Sequence, residues 1–179
     1  MTGATREPGP INVLFLSDGN DARSLMAEAV MNREGRGRFV GYSAGPHPKD
    51  ALNPHAASVL TSVNYKVDAL TPKSWELFRE PGAPRMDFVF SLDEGIQPEA
   101  DPPWPGDPLC ALRAMPDPSA ADGTPANLGL AYADVLRRIT TRIELFLALP
   151  HALIDRLVLQ ERLNEIGRGK SQSHAGNRA

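Results

Sequence analysis

The chain has 179 residues, a formal net charge of −3 and 41% hydrophobic residues. That suits one domain with a core of ordinary size, and without a notable basic patch it argues against nucleic acid as a partner. No apolar run approaches the roughly 20 residues of a bilayer-spanning helix, and a single cysteine, Cys110, excludes an intrachain disulfide and a thiolate metal cluster.

Residues 1–10 are polar and carry Pro and Gly, with no signal-peptide core, and read as a flexible arm. Residues 11–16 (Ile-Asn-Val-Leu-Phe-Leu) form a mostly apolar run of strand length, as expected for a strand covered on both faces. Residues 22–33 repeat Met26 and Val30 at helical spacing beside Leu25 and Ala29, and Gly35 and Gly37 close that helix. A second strand is expected over 39–44, before Gly45-Pro46. A helix is expected over 53–63, with Ala56, Val59 and Leu60 on one face and Asn53-Pro54 as its start. Residues 73–78 predict a short helix, and 86–92, with Phe88, Val89 and Phe90, a strand. Prolines cluster between Pro81 and Pro125, so 94–107 and 116–125 read as loops, with a short edge strand within 108–115. A long helix spans 126–149 and is broken by Pro150. A second helix is expected over 152–166, where Leu153, Leu157, Leu163 and Ile166 form a stripe, to pack on the domain or on a partner. The expected organisation is therefore an arm over 1–10, a domain over 11–149, a C-terminal helix within 150–167 and a disordered polar tail over 168–179.

Alternating strands and helices imply right-handed crossovers and a parallel sheet, whose ligands bind beyond the carboxyl ends of the strands. The loop after the first strand, Ser17-Asp18-Gly19-Asn20-Asp21-Ala22-Arg23-Ser24, occupies that place. Gly19 and Asn20 tolerate unusual backbone angles. A strand, a tight polar loop and a helix start converge backbone N–H groups on an anion. Arg23, a cation in the first turn, opposes the helix dipole; a bound anion would give it a purpose.

The Ser17–Arg23–Ser24 spacing resembles the phosphate loop of low-molecular-weight protein tyrosine phosphatases and the related thioredoxin-linked arsenate reductases, which reads Cys, five residues, Arg, then Ser or Thr. The resemblance continues through Ala27-Glu28-Ala29, Tyr42-Ser43-Ala44-Gly45, Lys73-Ser74-Trp75, Met86-Asp87-Phe88-Val89-Phe90, Trp104-Pro105-Gly106 and Pro116-Asp117-Pro118. It ends with Leu149-Pro150 and Glu165-Ile166-Gly167, so it covers about residues 11–167. It implies an α/β three-layer sandwich with a small four-stranded, mostly parallel sheet. It also implies roles. The loop amides from Ser17 to Ser24 and the Arg23 guanidinium hold an oxyanion such as phosphate or arsenate, Asn20 braces the loop, Ser24 hydrogen-bonds position 17, and Asp117 is the general acid. No cofactor is implied.

The chain departs from that pattern. The nucleophile position is Ser17; a serine needs an adjacent general base, and none of the histidines lies near the loop in sequence. By spacing, the positions of the arsenate reductases' further redox cysteines are Asp93 and Asp101. Asp18 and Asp21 bring carboxylates to an anion loop, where Asp21 doubles as a candidate helix cap, Asp18 as a solvated residue, and the pair with Asp117 as a cation site. Cys110 reads as a spectator. His47, His55, His151 and His174 show no ligand spacing and read as surface or turn residues; Trp75 and Trp104 read as packing residues. The expected function is a catalytically impaired, cytoplasmic family member with a residual oxyanion loop or a regulatory protein partner. The alternatives are a metal- or Ser-dependent hydrolase and an arsenate reductase-type or phosphatase enzyme whose cysteine was replaced to trap substrate.

Overall fold

The computed structural model describes residues 9–99 and 104–150; residues 1–8 of the expected arm over 1–10, Asp101, and the expected helix over 152–166 and tail, with His151 and His174, lie outside them. Four strands, β1 (Ile11–Leu16), β2 (Phe39–Ala44), β3 (Phe88–Ser91) and β4 (Leu109–Leu112), form one sheet in the order β2-β1-β3-β4. All three pairings are parallel. β1 fills both faces: Val13 and Phe15 join one core cluster and Leu14 and Leu16 the other, the period-two alternation of a strand buried on both sides.

The helices are α1 (Arg23–Glu34), α2 (Pro54–Ser62) and α3 (Pro125–Leu147). Their apolar stripes share the cluster of Val13, Phe15, Phe88 and Phe90, with Phe146 of α3 edge-on to Phe88 and Phe90 at centroid distances of 5.0 and 5.4 Å. The opposite sheet face is covered by a short 3₁₀ turn, Trp75–Phe78, and by Met86, Ile96 and Trp104. Trp75 and Trp104 meet edge-to-face at 6.2 Å with the Arg79 guanidinium over both rings, and Trp104 Nε1 donates to Pro98 O. Both indoles therefore serve packing. Cys110 is half-buried in β4.

Local chemistry sets the element ends. Asn53 accepts from the His55 amide at 2.9 Å and Thr124 from the Asn127 amide at 3.2 Å, so each caps a helix whose next residue is proline. The short helix expected over 73–78 is a 3₁₀ turn, Trp75–Phe78, capped by Ser74.

Chain order fixes where a ligand can sit. β1 leads to β2 on one side, and the chain then returns to β3 on the other side of β1. The carboxyl end of β1 is thus the switch point of an open parallel sheet, where a crevice forms, and the 17–22 loop lies there.

Candidate functional site

The loop is held by its carbonyls. Asp18 O accepts from the His47 amide at 3.0 Å, Gly19 O from Lys49 at 2.9 Å and Asp21 O from Asn53 at 2.8 Å. In a trans peptide the C=O of one residue and the N–H of the next point in opposite directions. Tying these carbonyls to the 47–53 segment therefore turns the N–H groups of Gly19, Asn20 and Ala22 away from it. No backbone N–H from Asp18 to Ser24 has an acceptor among the described residues. Asn20 sits at φ 44°, the left-handed conformation expected of Gly or Asn.

A buried polar chain fixes the floor. Asn20 Oδ1 accepts from the Lys73 amide at 2.7 Å and its Nδ2 donates to Ser24 Oγ at 2.7 Å. Ser24 Oγ lies 2.6 Å from Ser17 Oγ. All three side chains are buried, so the network holds position 17 against the first turn of α1.

The helix start differs from the cap expected of Asp21. The cap residue is Ala22, with no side-chain bond to the first turn. The Asp21 side chain instead lines the pocket, and its carboxylate makes no hydrogen bond or ion pair among the described residues. An uncapped start leaves the first-turn N–H groups available to a ligand.

Arg23 faces inward, onto protein. Its Nη1 donates to Leu92 O (3.2 Å) and Met115 O (2.9 Å), and Nη2 to Asp93 Oδ2 (2.9 Å). The guanidinium thus braces the end of β3 against the segment before Asp117. Asp93, placed by spacing where a redox thiol would stand, is the counter-ion of Arg23, and its other oxygen accepts from the Gly95 amide.

The pocket holds about 410 Å³ and is lined by Ser17, Asp18, Gly19, Asp21, Ala22, Arg23, Lys49, Asp93, Asp117 and Tyr132, among others. Asp117 Oδ1 accepts from the Ser119 amide (2.9 Å) and hydroxyl (2.7 Å). Burial pushes this carboxyl up, but the Ser119 bonds and the nearby Arg23 and Lys49 cations outweigh it and hold it below the usual carboxylate value. Before an anion binds, these partners favour the carboxylate form of Asp117. Asp18 is exposed and bonded to His47 Nδ1 at 2.8 Å, so the fold brings to the rim a histidine that the sequence places far from the loop. Asp18, Asp21 and Asp117 do not form a metal cluster: no group of three or more His, Cys, Asp or Glu among the described residues could hold an ion.

Sequence reasoning missed Lys49, Asn53, Ser119 and Tyr132 as pocket residues. Tyr132 comes from the middle of α3, where its spacing marks it only as a core position. Burial, then the Asp21 and Asp117 carboxylates, raise its hydroxyl above the usual tyrosine value, with Arg23 opposing. Tyr42 and Tyr65 are raised too, chiefly by burial. These are all the tyrosines in the chain. An absorbance titration is therefore expected to show no tyrosine ionising below about pH 10 in the native protein. A raised native value means that the stabilisation is complete below the unfolded value of about 10 and is lost as pH rises through the native values. Alkaline unfolding that coincides with tyrosine ionisation is the expected result.

A four-stranded parallel α/β fold with an amide-lined loop at its switch point defines the class. The chain belongs to the low molecular weight phosphotyrosine protein phosphatase family, whose model matches residues 12–102, just over half of its length. No curated protein matches the chain. Among solved structures it is similar to an arsenate reductase in the phosphate binding state (23% identity, 77% of this chain and 97% of that one, TM-score 0.62). It is also similar to a low molecular weight protein tyrosine phosphatase from T. tengcongensis (21%, 78% and 99%, TM-score 0.61). A third is the tyrosine phosphatase Wzb from Escherichia coli K30 in complex with sulphate (16%, 76% and 95%, TM-score 0.57). At these identities the likeness is one of fold. No helix among the described residues is long and apolar enough to cross a membrane.

Proposed function

We propose that this protein is a catalytically impaired member of its family that keeps an oxyanion-binding loop. One observation carries the reading: the amide N–H groups from Asp18 to Ser24 have no acceptor among the described residues, while the carbonyls of Asp18, Gly19 and Asp21 are tied away. Such a cradle binds a tetrahedral oxyanion without further change. The solved relatives described as phosphate-binding and as a sulphate complex support the same ligand chemistry.

The impairment follows from what surrounds the cradle. Ser17 Oγ is bonded to another hydroxyl, not to a base, so nothing on hand removes its proton. The pocket sets Asp18, Asp21, Asp93 and Asp117 against Arg23 and Lys49. At an effective dielectric near 20, a like-charge pair at about 4 Å opposes binding by roughly 4 kcal/mol, an upper scale for partly solvated groups. A bound dianion is therefore held weakly.

The test pairs turnover with binding. The protein is expected to hydrolyse no aryl phosphate, with or without Mg²⁺ or Mn²⁺, and to reduce no arsenate with added thiol, yet to bind inorganic phosphate weakly by calorimetry. Ser17→Cys alone is expected to stay slow, and Ser17→Cys with Asp18→Asn and Asp21→Asn to gain turnover. Native turnover abolished by Ser17→Ala would overturn the reading; full activity on Ser17→Cys alone would favour a trap variant. Absence of phosphate binding would leave a protein partner as the remaining role.

A further inference from the structure

The charges around the cradle specify more than weakness. Arg23 and Asp93 neutralise one another at 2.9 Å. Asp18 has His47 as its partner on the exposed rim. What faces the ligand is then Asp21 and Asp117, with Lys49 as the cation left over. Asp21 makes no ion pair among the described residues. Asp117 uses one oxygen on Ser119, and no partner among the described residues meets the other. Both carboxylates line the pocket together with Tyr132 of α3. The pocket therefore has two chemically distinct parts: amide donors that have no acceptor among the described residues, and the Asp21 and Asp117 carboxylates, which carry excess negative charge. Its volume of about 410 Å³ falls in the range of roughly 300–1,000 Å³ typical of small-molecule sites, which leaves room beside a bound oxyanion.

We propose that the pocket takes a zwitterion: a tetrahedral oxyanion seated on the loop amides, bearing an ammonium group that Asp21 and Asp117 receive. The inference rests on the cradle reading and adds the chemistry of the rest of the ligand. A cation carried by the ligand supplies what these carboxylates lack and relieves the repulsion that a bare dianion meets. The same carboxylates become a discriminating device, since a neutral substituent leaves their charge opposed to the oxyanion.

A matched pair of ligands isolates that cation. Ethyl phosphate and O-phosphoethanolamine differ mainly by an ammonium group. By calorimetry at low salt, O-phosphoethanolamine is expected to bind about tenfold tighter than ethyl phosphate, and the gap to narrow as salt is raised. In Asp21→Asn/Asp117→Asn the preference is expected to vanish while inorganic phosphate binds tighter than to the native protein. Asparagine still caps the Ser119 turn, and an unchanged thermal midpoint checks the fold. Equal affinities for the two ligands in the native protein would overturn the inference and leave the cradle standing. A preference that persists in the double variant, or equal binding of ethanolamine alone, would overturn it as well. Binding of none of these phosphates by either protein would overturn the inference and the cradle together.

Discussion

Gly45→Ala is expected to lower stability by about 3 kcal/mol or more and to remove phosphate binding. A Cβ at residue 45 would stand 2.2 Å from Ser17 O and 2.5 Å from Asp18 O. Both are backbone atoms, so no side chain can rotate out of the way. Gly45 also donates to Lys73 O and accepts from the Trp75 amide, both at 3.0 Å. It is therefore wedged between the mouth of the loop and the 73–75 segment that holds Asn20 through the Lys73 amide. Relieving the clash means moving the loop off the end of β2, and the carbonyls that orient the amide cradle move with it. At roughly 2–4 °C per kcal/mol for a chain of this size, the thermal midpoint is expected to fall by about 6–12 °C. Gly129→Ala is the control. That residue lies within α3, and an added Cβ there meets nothing within 4 Å, so alanine's helix propensity is expected to add about 0.5–1 kcal/mol. A Gly45→Ala protein as stable as the native one would show that the loop is not seated against β2 as described.

The same residue shows what sequence reading reaches. Gly45 was legible as part of a motif, Tyr42-Ser43-Ala44-Gly45, but the reason for the glycine lay 28 residues away in Ser17 O. Elements were legible where apolar spacing or a breaker dictates them: β1 from its mostly apolar run, α1 from Met26 and Val30, α3 from the long stretch that Pro150 ends. The Ser17, Asn20 and Ser24 contacts were legible through the family resemblance, which matches these positions one by one along the loop and the first turn of its helix. Asp21 was misread as a cap because its position before α1 fits a cap, and nothing local says that Ala22 takes that place instead. Contacts made across the fold left no local trace. Lys49 and Asn53 reach the pocket because their amides bind the loop's carbonyls, and a backbone donor has no residue type to betray it. Tyr132 looks like any other apolar position of α3. Arg23 was legible as a cation of the pocket, but its bonds to Leu92 O and Met115 O were not, because those acceptors are carbonyls that every residue possesses.

That last contact carries the second large effect. Arg23→Ala is expected to cost about 3 kcal/mol, because it strands the Asp93 carboxylate and removes the donor shared by Leu92 O and Met115 O. The side chains are 13% and 22% exposed. That places the pair between a solvated ion pair, worth about 0–1 kcal/mol, and a fully buried one, whose breaking costs about 3–5 kcal/mol. Asp93→Ala is expected to cost less, about 1–2 kcal/mol, since Arg23 keeps both carbonyls. The double variant is expected to lose at least 1 kcal/mol less than the sum of the two, the signature of direct coupling between neighbours. Arg23→Lys does not rescue, because one ammonium cannot reproduce a planar fork that meets two carbonyls and a carboxylate from different nitrogens. Binding separates structural from electrostatic effects. Asp93→Asn keeps an acceptor for Arg23 but removes the charge that neutralises it, so inorganic phosphate is expected to bind tighter to Asp93→Asn than to the native protein while Arg23→Ala binds it no better. If Asp93→Asn left phosphate affinity unchanged, the guanidinium would lie too far from the bound anion to act on it, and Arg23 would be a brace alone.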